Sequence, residues 1–336
     1  MAVPRRRIID ALEGLFPPHL ALAGDATGLQ VGTAGGEVER VLCTLDLTLE
    51  VAEEARERGA GLVVSHHAVV FRPLPHLRTD TPAGRILAAL VRADVTVYVP
   101  HTALDVVAGG GNDDLAARLG LGAARPLEET GRAEAVLLLA PRPPGDVDTL
   151  ERSLFAAGAA RVEVVGQHVH VVAPRRSSGA VAARLQLLEG GAPPRVVPLL
   201  SDAAPHGIGR VGELPRAMPL AALGQAVKTA LGAPAVRLVA RDPAAPVTTV
   251  AVLAGDGRRY VDAAAAAGAE VLVTGDVDHH TALRARALGL ALIDAGHWAT
   301  ERRAPELVAE GLRAALSDEP VEVLVSGVST QPFVHL

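Results

Sequence analysis

Histidines and carboxylates occur together at four places in this chain of 336 residues. Each place follows a short apolar run rich in Val or Leu, a pattern typical of a buried strand. The four are SHH at 65–67, HTALD at 101–105, TGDVDHH at 274–280 and DAGHWATE at 294–301. Imidazoles and carboxylates are ordinary ligands of divalent metal ions, and α/β proteins place chemistry at strand ends. The recurrence therefore predicts a metal site that several strand ends build together.

The adjacent residues His66 and His67 reach one site only if their strand ends there and the chain turns. Successive side chains of a strand otherwise point to opposite faces. The alternative is that one imidazole is exposed and the other packs in the core, where histidine is often found.

Two carboxylates lie four residues after a histidine. His297 and Glu301 share one face of a helix, which makes half of a metal site. His101 and Asp105 have the same spacing, but the preceding Pro100 favours a loop there. A His-x-x-x-Glu pair is also common as an ion pair on a solvated helix, so neither pair identifies a metal site alone.

The combined set contains three imidazoles and two carboxylates: His66, His67, Asp105, His297 and Glu301. Two cations ~3.5–4 Å apart repel each other, and a bridging carboxylate lowers that repulsion. Five ligands do not fill two coordination shells, which leaves open positions for water or substrate. The chain has one cysteine, so a thiolate set does not select the metal, and Zn, Mn, Fe, Co and Ni are all candidates.

Alternating strands and helices must position these residues. Residues 1–128 and 206–336 both show β-α alternation, which predicts one α/β core domain with mostly parallel sheets flanked by helices. Residues 129–205 differ in character and follow a β-α-β-α-β pattern, which predicts a small α+β insert that splits the core. Within the insert, RVEVVGQHVHVVAP at 161–174 is predicted as one strand.

Composition excludes several classes of protein. The hydrophobic fraction is 49%, which is typical of a globular chain, and the net charge of −6 gives no basic excess for nucleic acid. No apolar run approaches the ~18 residues that a membrane span needs. Asp10 and Glu13 interrupt the N-terminal apolar segment, so a signal peptide is not expected and the prediction is a cytoplasmic protein.

Together the motifs resemble the Nif-three-like dinuclear-metal proteins, a family often named GTP cyclohydrolase 1 type 2. The matching stretches occur in family order on both flanks: GLQVG at 28–32, LDLT at 45–48, SHHAVVF at 65–71, HTALDVVAGGGNDDLAARLGL at 101–121, GIGRVGEL at 207–214, TGDVDHH at 274–280 and IDAGHWATE at 293–301. The chain departs from the family where Asp25-Ala26-Thr27 replaces Trp-Asp-Asn and where Ala68 replaces a proline. Neither departure touches a predicted ligand.

The resemblance implies two divalent metal ions per subunit, held by His66, His67, Asp105, His297 and Glu301. It also implies a ring-shaped homohexamer with metal sites that face an internal cavity, and an insert like a PII signalling domain.

For activity, a pair of metal ions predicts a metal-dependent hydrolase. Four positive charges against the two carboxylates leave a net positive site, which favours a nucleotide or another phosphate-bearing small molecule as substrate. The family label implies opening of the guanine imidazole ring of GTP with release of formate. His279 or His280 would carry protons, and His101 would orient a ligand or take part in catalysis. Asp276 or Asp294 would also orient a ligand. The alternative is a metal-binding or regulatory interaction protein without turnover. Binding of nucleic acid ranks below both, because the sequence has no basic stripe.

Overall fold

The computed structural model describes residues 2–131, 135–188, 193–199 and 206–335. The chain divides into two compact units, one formed by residues 1–130 and 207–336 and the other by residues 131–206. The first unit is therefore discontinuous in sequence, and it contains every residue of the predicted metal site.

The helices and strands of the described residues alternate along most of the chain. The first segment contains β1 (Val3–Pro4), α1 (Arg5–Leu15), β2 (Gly28–Val31), β3 (Glu37–Val38), β4 (Arg40–Thr44), α2 (Leu49–Glu57), β5 (Leu62–Ser65), α3 (Pro82–Arg92), β6 (Thr96–Val99), α4 (Thr102–Val106), α5 (Gly111–Arg118) and β7 (Gly122–Gly131). The insert contains β8 (Ala135–Pro141), α6 (Val147–Ala156), β9 (Arg161–Val165), β10 (His168–Pro174), α7 (Arg175–Leu188) and β11 (Arg195–Leu199). The last segment contains β12 (His206–Pro219), α8 (Leu220–Leu231), β13 (Arg237–Val239), β14 (Pro246–Asp256), α9 (Val261–Ala266), β15 (Val271–Gly275), α10 (His279–Leu288), β16 (Ala291–Asp294), α11 (His297–Glu301), α12 (Ala304–Ala315) and β17 (Glu322–Val325).

A five-stranded sheet carries the first half of the site. Its order is β17-β4-β5-β6-β2, with β2 antiparallel and the other pairs parallel. Helices cover both faces, so the strands are continuous apolar runs rather than alternating ones. In β4, Val41 and Cys43 pack with α1 and α12, whereas Leu42 between them packs with α2 and α3. Burial on both faces fixes the register of these short strands.

A six-stranded sheet carries the second half. Its order is β13-β16-β15-β14-β12-β7, and its central strands β14, β15 and β16 are parallel. One face packs against α5 and α8 and the other against α9 and α10. Both sheets thus direct the carboxyl ends of parallel strands toward loops that carry histidine and acid, as the alternation predicted.

The insert is a four-stranded antiparallel sheet of order β11-β8-β10-β9. Its helices α6 and α7 contribute Leu154 and Leu185 to a core that also holds Leu138, Val169 and Val171. Connectivity is β-α-β-β-α-β.

Two details correct the sequence-based predictions. The single strand predicted over 161–174 is wrong, because Gly166 takes a φ of +61° and the chain turns there into the antiparallel pair β9 and β10. The loop predicted for the segment after Pro100 is also wrong, because Thr102–Val106 forms the short helix α4.

Candidate metal centre

The histidine pair lies immediately beyond a strand end. β5 ends at Ser65. The backbone N–H of His66 donates to the carbonyl of Thr44, the last residue of the parallel neighbour β4, and that of His67 donates to Leu45 just beyond it. The Ser65 hydroxyl donates to the carbonyl of His67 at 2.8 Å, which stabilises the turn. Because the chain bends there, both imidazoles face one site. The His66 residue is 1% exposed, whereas the His67 side chain is 25% exposed.

The segment after β6 supplies the first carboxylate. His101 has a φ of +39°, an uncommon value for a residue with a side chain, and α4 begins directly after it. Asp105 on α4 is buried, and the Asn112 side chain donates to its backbone carbonyl at 3.0 Å. The same Asn112 accepts from the N–H of Ala254 in β14 at 2.9 Å. One buried amide therefore joins the backbone of Asp105, which follows β6 of the first sheet, to a strand of the second.

The second carboxylate and the third histidine lie on α11, as their spacing predicted. This helix begins after Gly296, whose φ is +87°. Glu301 is buried against Gly255, where an added Cβ would lie 2.1 Å from Glu301 Oε1. The Thr300 hydroxyl accepts from the N–H of Gly255 at 2.9 Å, which holds α11 against β14. Gly255 is thus the residue whose small size admits the carboxylate.

The five predicted ligands meet around the Glu301 carboxylate. Nε2 of His67 and Nε2 of His297 each lie 2.9 Å from Glu301 Oε2, and the two nitrogens are 3.3 Å apart. On the other side, His66 Nε2 lies 3.8 Å from Glu301 Oε1 and 3.8 Å from Asp105 Oδ2. Ligand atoms of His66, His67 and Glu301 all lie within 4.8 Å of one another, so this group can hold a metal ion.

Three further carboxylates orient the imidazoles through Nδ1. Asp46 lies 2.7 Å from Nδ1 of His67, and Asp276 lies 2.7 Å from Nδ1 of His297. Asp25 lies 2.5 Å from Nδ1 of His101. An ionised carboxylate only accepts, so each ring donates its Nδ1–H and turns Nε2 inward, as ligating histidines do.

Sequence reasoning missed Asp46 and Asp25. Asp46 follows β4, the parallel neighbour of β5, so its position at the same sheet edge was a usable signal. Asp25 lies in an irregular segment before β2 and follows no strand end, so the sequence carries no comparable signal for it. Asp294, an expected orienting group, instead pairs with Arg237 and accepts from the N–H of Gly296.

The predicted proton carriers lie elsewhere. His279 and His280 occupy the first turn of α10 and are exposed, with 5.5 Å between their ring centroids. His101 does lie at the cluster, its ring 5.5 Å from that of His66 and 5.8 Å from that of His67. The role of His279 and His280 stays a prediction.

The charges of these groups shift the pKa of their neighbours. Although burial alone lowers the pKa of His67, its hydrogen bond to Asp46 and its contact with Glu301 raise that pKa to about 10. Burial also lowers the pKa of His297, but contacts with Glu301 and then Asp276 outweigh it and raise that pKa to about 9. Burial favours the neutral form of Glu301, yet contacts with His297, His66 and His67 hold its pKa well below the ordinary value. Burial raises the pKa of Asp105 to about 6, with His66 opposing and Glu301 adding to the shift.

The donor set fits a divalent cation. His66 Nε2, His66 Nδ1 and Glu301 Oε2 are buried and have no hydrogen-bond partner among the described residues. An unsatisfied buried polar atom costs about 1–3 kcal/mol, so three in one cluster indicate a partner of another kind. The inward Nε2 lone pairs and the carboxylate oxygens are all acceptors, and either a proton or a metal ion satisfies them.

The fold and this cluster define a mixed α/β protein with a candidate His/Glu metal site. The chain belongs to the Duf34/NIF3 (NGG1p interacting factor 3) family, whose model matches residues 3–332. This confirms the family that the sequence motifs indicated.

Relatives and solved structures agree over nearly the whole chain. A protein of Halalkalibacterium halodurans named GTP cyclohydrolase 1 type 2 homolog is 32% identical, with 98% of each chain covered. One of the same name from Bacillus subtilis is 32% identical, with 100% of this chain and 99% of the relative covered. The crystal structure of a Bacillus cereus protein related to NIF3 is similar with a TM-score of 0.81, 30% identity and 98% of each chain covered. A Staphylococcus aureus structure has a TM-score of 0.77 at 26% identity, with 99% of each chain covered.

None of the helices in the described segments is long and apolar enough to cross a membrane.

Proposed function

We propose that this protein binds two divalent metal ions and is a hydrolase that acts on a nucleotide or another phosphate-bearing small molecule. The observation that carries the proposal is the placement of the Glu301 carboxylate between two sets of donors. Oε1 faces His66, whose Nε2 also faces the buried Asp105, and Oε2 faces His67 and His297. A carboxylate with a separate donor set on each oxygen is suited to bridge two cations.

Two metal ions, when bound, would lower the pKa of a water molecule and polarise the bond under attack. The protein residues have distinct parts in such a reaction. Asp46 and Asp276 fix His67 and His297 in the tautomer that presents Nε2 to the site. His101, held at Nδ1 by Asp25, lies at the cluster outside the proposed ligand set and would transfer a proton through its other ring nitrogen. His279 and His280 would carry protons only from the exposed turn of α10.

The name shared by the relatives supports one specific reaction, the hydrolytic opening of the guanine ring of GTP with release of formate. The test is to load the purified protein with Zn, Mn, Fe, Co or Ni and to count the bound ions by mass spectrometry. Each form is then incubated with GTP and other phosphate compounds, and formate, phosphate and pterin precursors are measured. We expect two ions per chain and one product. A fully loaded protein that yields none of these products contradicts the hydrolase.

A second candidate is a metal-binding protein that regulates or binds a partner without turnover. The observation that favours it is the family name, which refers to an interacting factor. The same incubation separates the two candidates, because this one predicts stable metal binding and unchanged substrates.

We also propose that the insert is PII-like and that six chains form a ring. The β-α-β-β-α-β connectivity and the strand order β11-β8-β10-β9 support the first part, because PII domains have this ferredoxin-like arrangement. Light scattering on the full chain tests the second part, for which a mass near six times 34.5 kDa is expected. A monomeric mass would contradict it.

A further inference from the structure

A cavity of about 960 Å³ opens beside the Oε2 side of the cluster, with His67 and His297 in its wall. Most of the remaining wall is apolar or aromatic, and it includes Leu45, Pro234, Ala295, Trp298, Pro332 and Phe333. A volume of this size is typical of a small-molecule site. The wall therefore offers an organic ligand an apolar surface directly next to the proposed metal ligands.

Trp298 holds a fixed place in this wall. It also lines a smaller neighbouring cavity of about 260 Å³, and Arg302 lines only that smaller one. The guanidinium carbon of Arg302 lies 5.4 Å from the centroid of the Trp298 ring, a cation–π contact that holds the indole in place. Phe333, from the segment after β17, adds a second aromatic ring to the larger cavity and is 69% exposed. A planar ring that entered the cavity would gain most from stacking on such residues.

Charge does not favour recognition of phosphate in the same cavity. Two cations carry four positive charges, and Asp105 and Glu301 remove two of them. Asp46 and Asp276, which line the cavity and are bonded to His67 and His297, remove the other two, which leaves no net charge. The cavity also contains Arg237, but its guanidinium is already paired with Asp294. The ligand set alone gives a net positive site that attracts phosphate, and the orienting carboxylates cancel it.

We infer that the cavity recognises a neutral planar heteroaromatic ring, such as a purine base, through its apolar wall, and that a phosphate group on the ligand adds little affinity. Trp298 and Phe333 are then the specificity-determining residues. This inference rests on the proposed hydrolytic site. It states that the protein recognises its substrate by the ring and not by the phosphate group.

The chain contains one tryptophan, so tryptophan fluorescence reports on Trp298 in the cavity wall. Metal-loaded protein is titrated with guanosine, guanosine monophosphate and ribose 5-phosphate, with correction for absorption by the base. We expect the two guanine compounds to quench Trp298 with dissociation constants within about threefold of each other, and ribose 5-phosphate not to compete. Strong competition by ribose 5-phosphate, or no saturable quenching by guanosine, overturns the inference.

A matched pair of variants locates the binding site. Phe333→Ala should weaken guanosine binding by about tenfold, the loss expected for one aromatic contact to a base. Phe155→Ala removes an exposed phenylalanine of α6 in the insert and should leave the affinity unchanged. Equal affinities of the two variants contradict the assignment. Metal content is measured on the same samples, which shows whether each variant is loaded. Guanosine that binds to loaded protein without being converted would count against the proposed hydrolase and not against this inference.

Discussion

The two oxygens of Glu301 face two unlike environments. On the Oε1 side, His66 is 1% and Asp105 is 6% exposed, and neither ring nitrogen of His66 has a hydrogen-bond partner in the described residues. On the Oε2 side, His67 and His297 line a large cavity and are each held at Nδ1 by a carboxylate. The two halves of the proposed centre are therefore not equivalent. One is closed and would retain its ion, and the other is open and would exchange its ion and meet the ligand.

Glu301 is the residue on which both halves depend. Glu301→Gln keeps the size of the side chain but removes its charge, so we expect loss of nearly all bound metal from both sides. Metal analysis of the purified variant measures this. Glu310→Gln on α12, where the carboxylate is exposed and pairs with Arg303, is the matched control and should bind metal normally. A Glu301→Gln protein that keeps one ion would show that one half does not need the carboxylate.

Asp105→Ala and His297→Ala separate the halves. Each variant removes one ligand from one side, so each should lose one of two ions and retain the other. The retained ion should differ: Asp105→Ala keeps the rapidly exchanging ion, and His297→Ala keeps the slow one. Exchange with a labelled metal isotope measures the rates, and circular dichroism confirms that both variants are folded. Identical exchange rates in the two variants would remove the distinction between a closed and an open side.

The pH dependence of metal affinity should be determined by the two histidines of the open side. Without metal, the raised pKa values of His67 and His297, about 10 and about 9, mean that both rings are protonated at pH 7. A metal ion must displace those protons, so its affinity should rise by about tenfold per pH unit for each proton released, up to pH 9. The metal-free fold behaves in the opposite sense. Its stabilisation by the two protonated rings is complete below the ordinary pKa of 6.5 and is lost as the pH rises through 9 and 10.

Titration calorimetry between pH 6 and 9 measures the affinity, and thermal unfolding of the metal-free protein measures the stability. An affinity that does not change with pH would show that the two rings are already neutral.

The sequence predicts the ligands of both sides better than it predicts the cavity beside the open side. His297 and Glu301 meet because their spacing matches a helical turn, and His66 and His67 meet because β5 ends at Ser65. Both relations are local and therefore visible in a single chain. The cavity is not local: it combines residues that follow β4 with Trp298 and with residues 330–335, which have no periodic pattern. Contacts of that kind depend on how two sheets pack, and the spacing of residues along the sequence does not indicate that packing.

Asp46 gives the smallest predicted effect and the sharpest test of the orienting carboxylates. Its carboxylate accepts from Nδ1 of His67 and also from the hydroxyl of Thr330, which comes from the C-terminal segment of the cavity wall. Contacts with His67 and Thr330 outweigh burial and lower the pKa of Asp46, so it is ionised and increases the basicity of the ring. Asp46→Asn should therefore weaken metal binding on the open side by about 10- to 100-fold and leave the closed side unchanged. Thr330→Val removes only the hydrogen bond from Thr330 and should weaken metal binding on the open side by less. If Asp46→Asn weakens the binding of both ions equally, the two sides are coupled through Glu301 more strongly than their separate environments indicate.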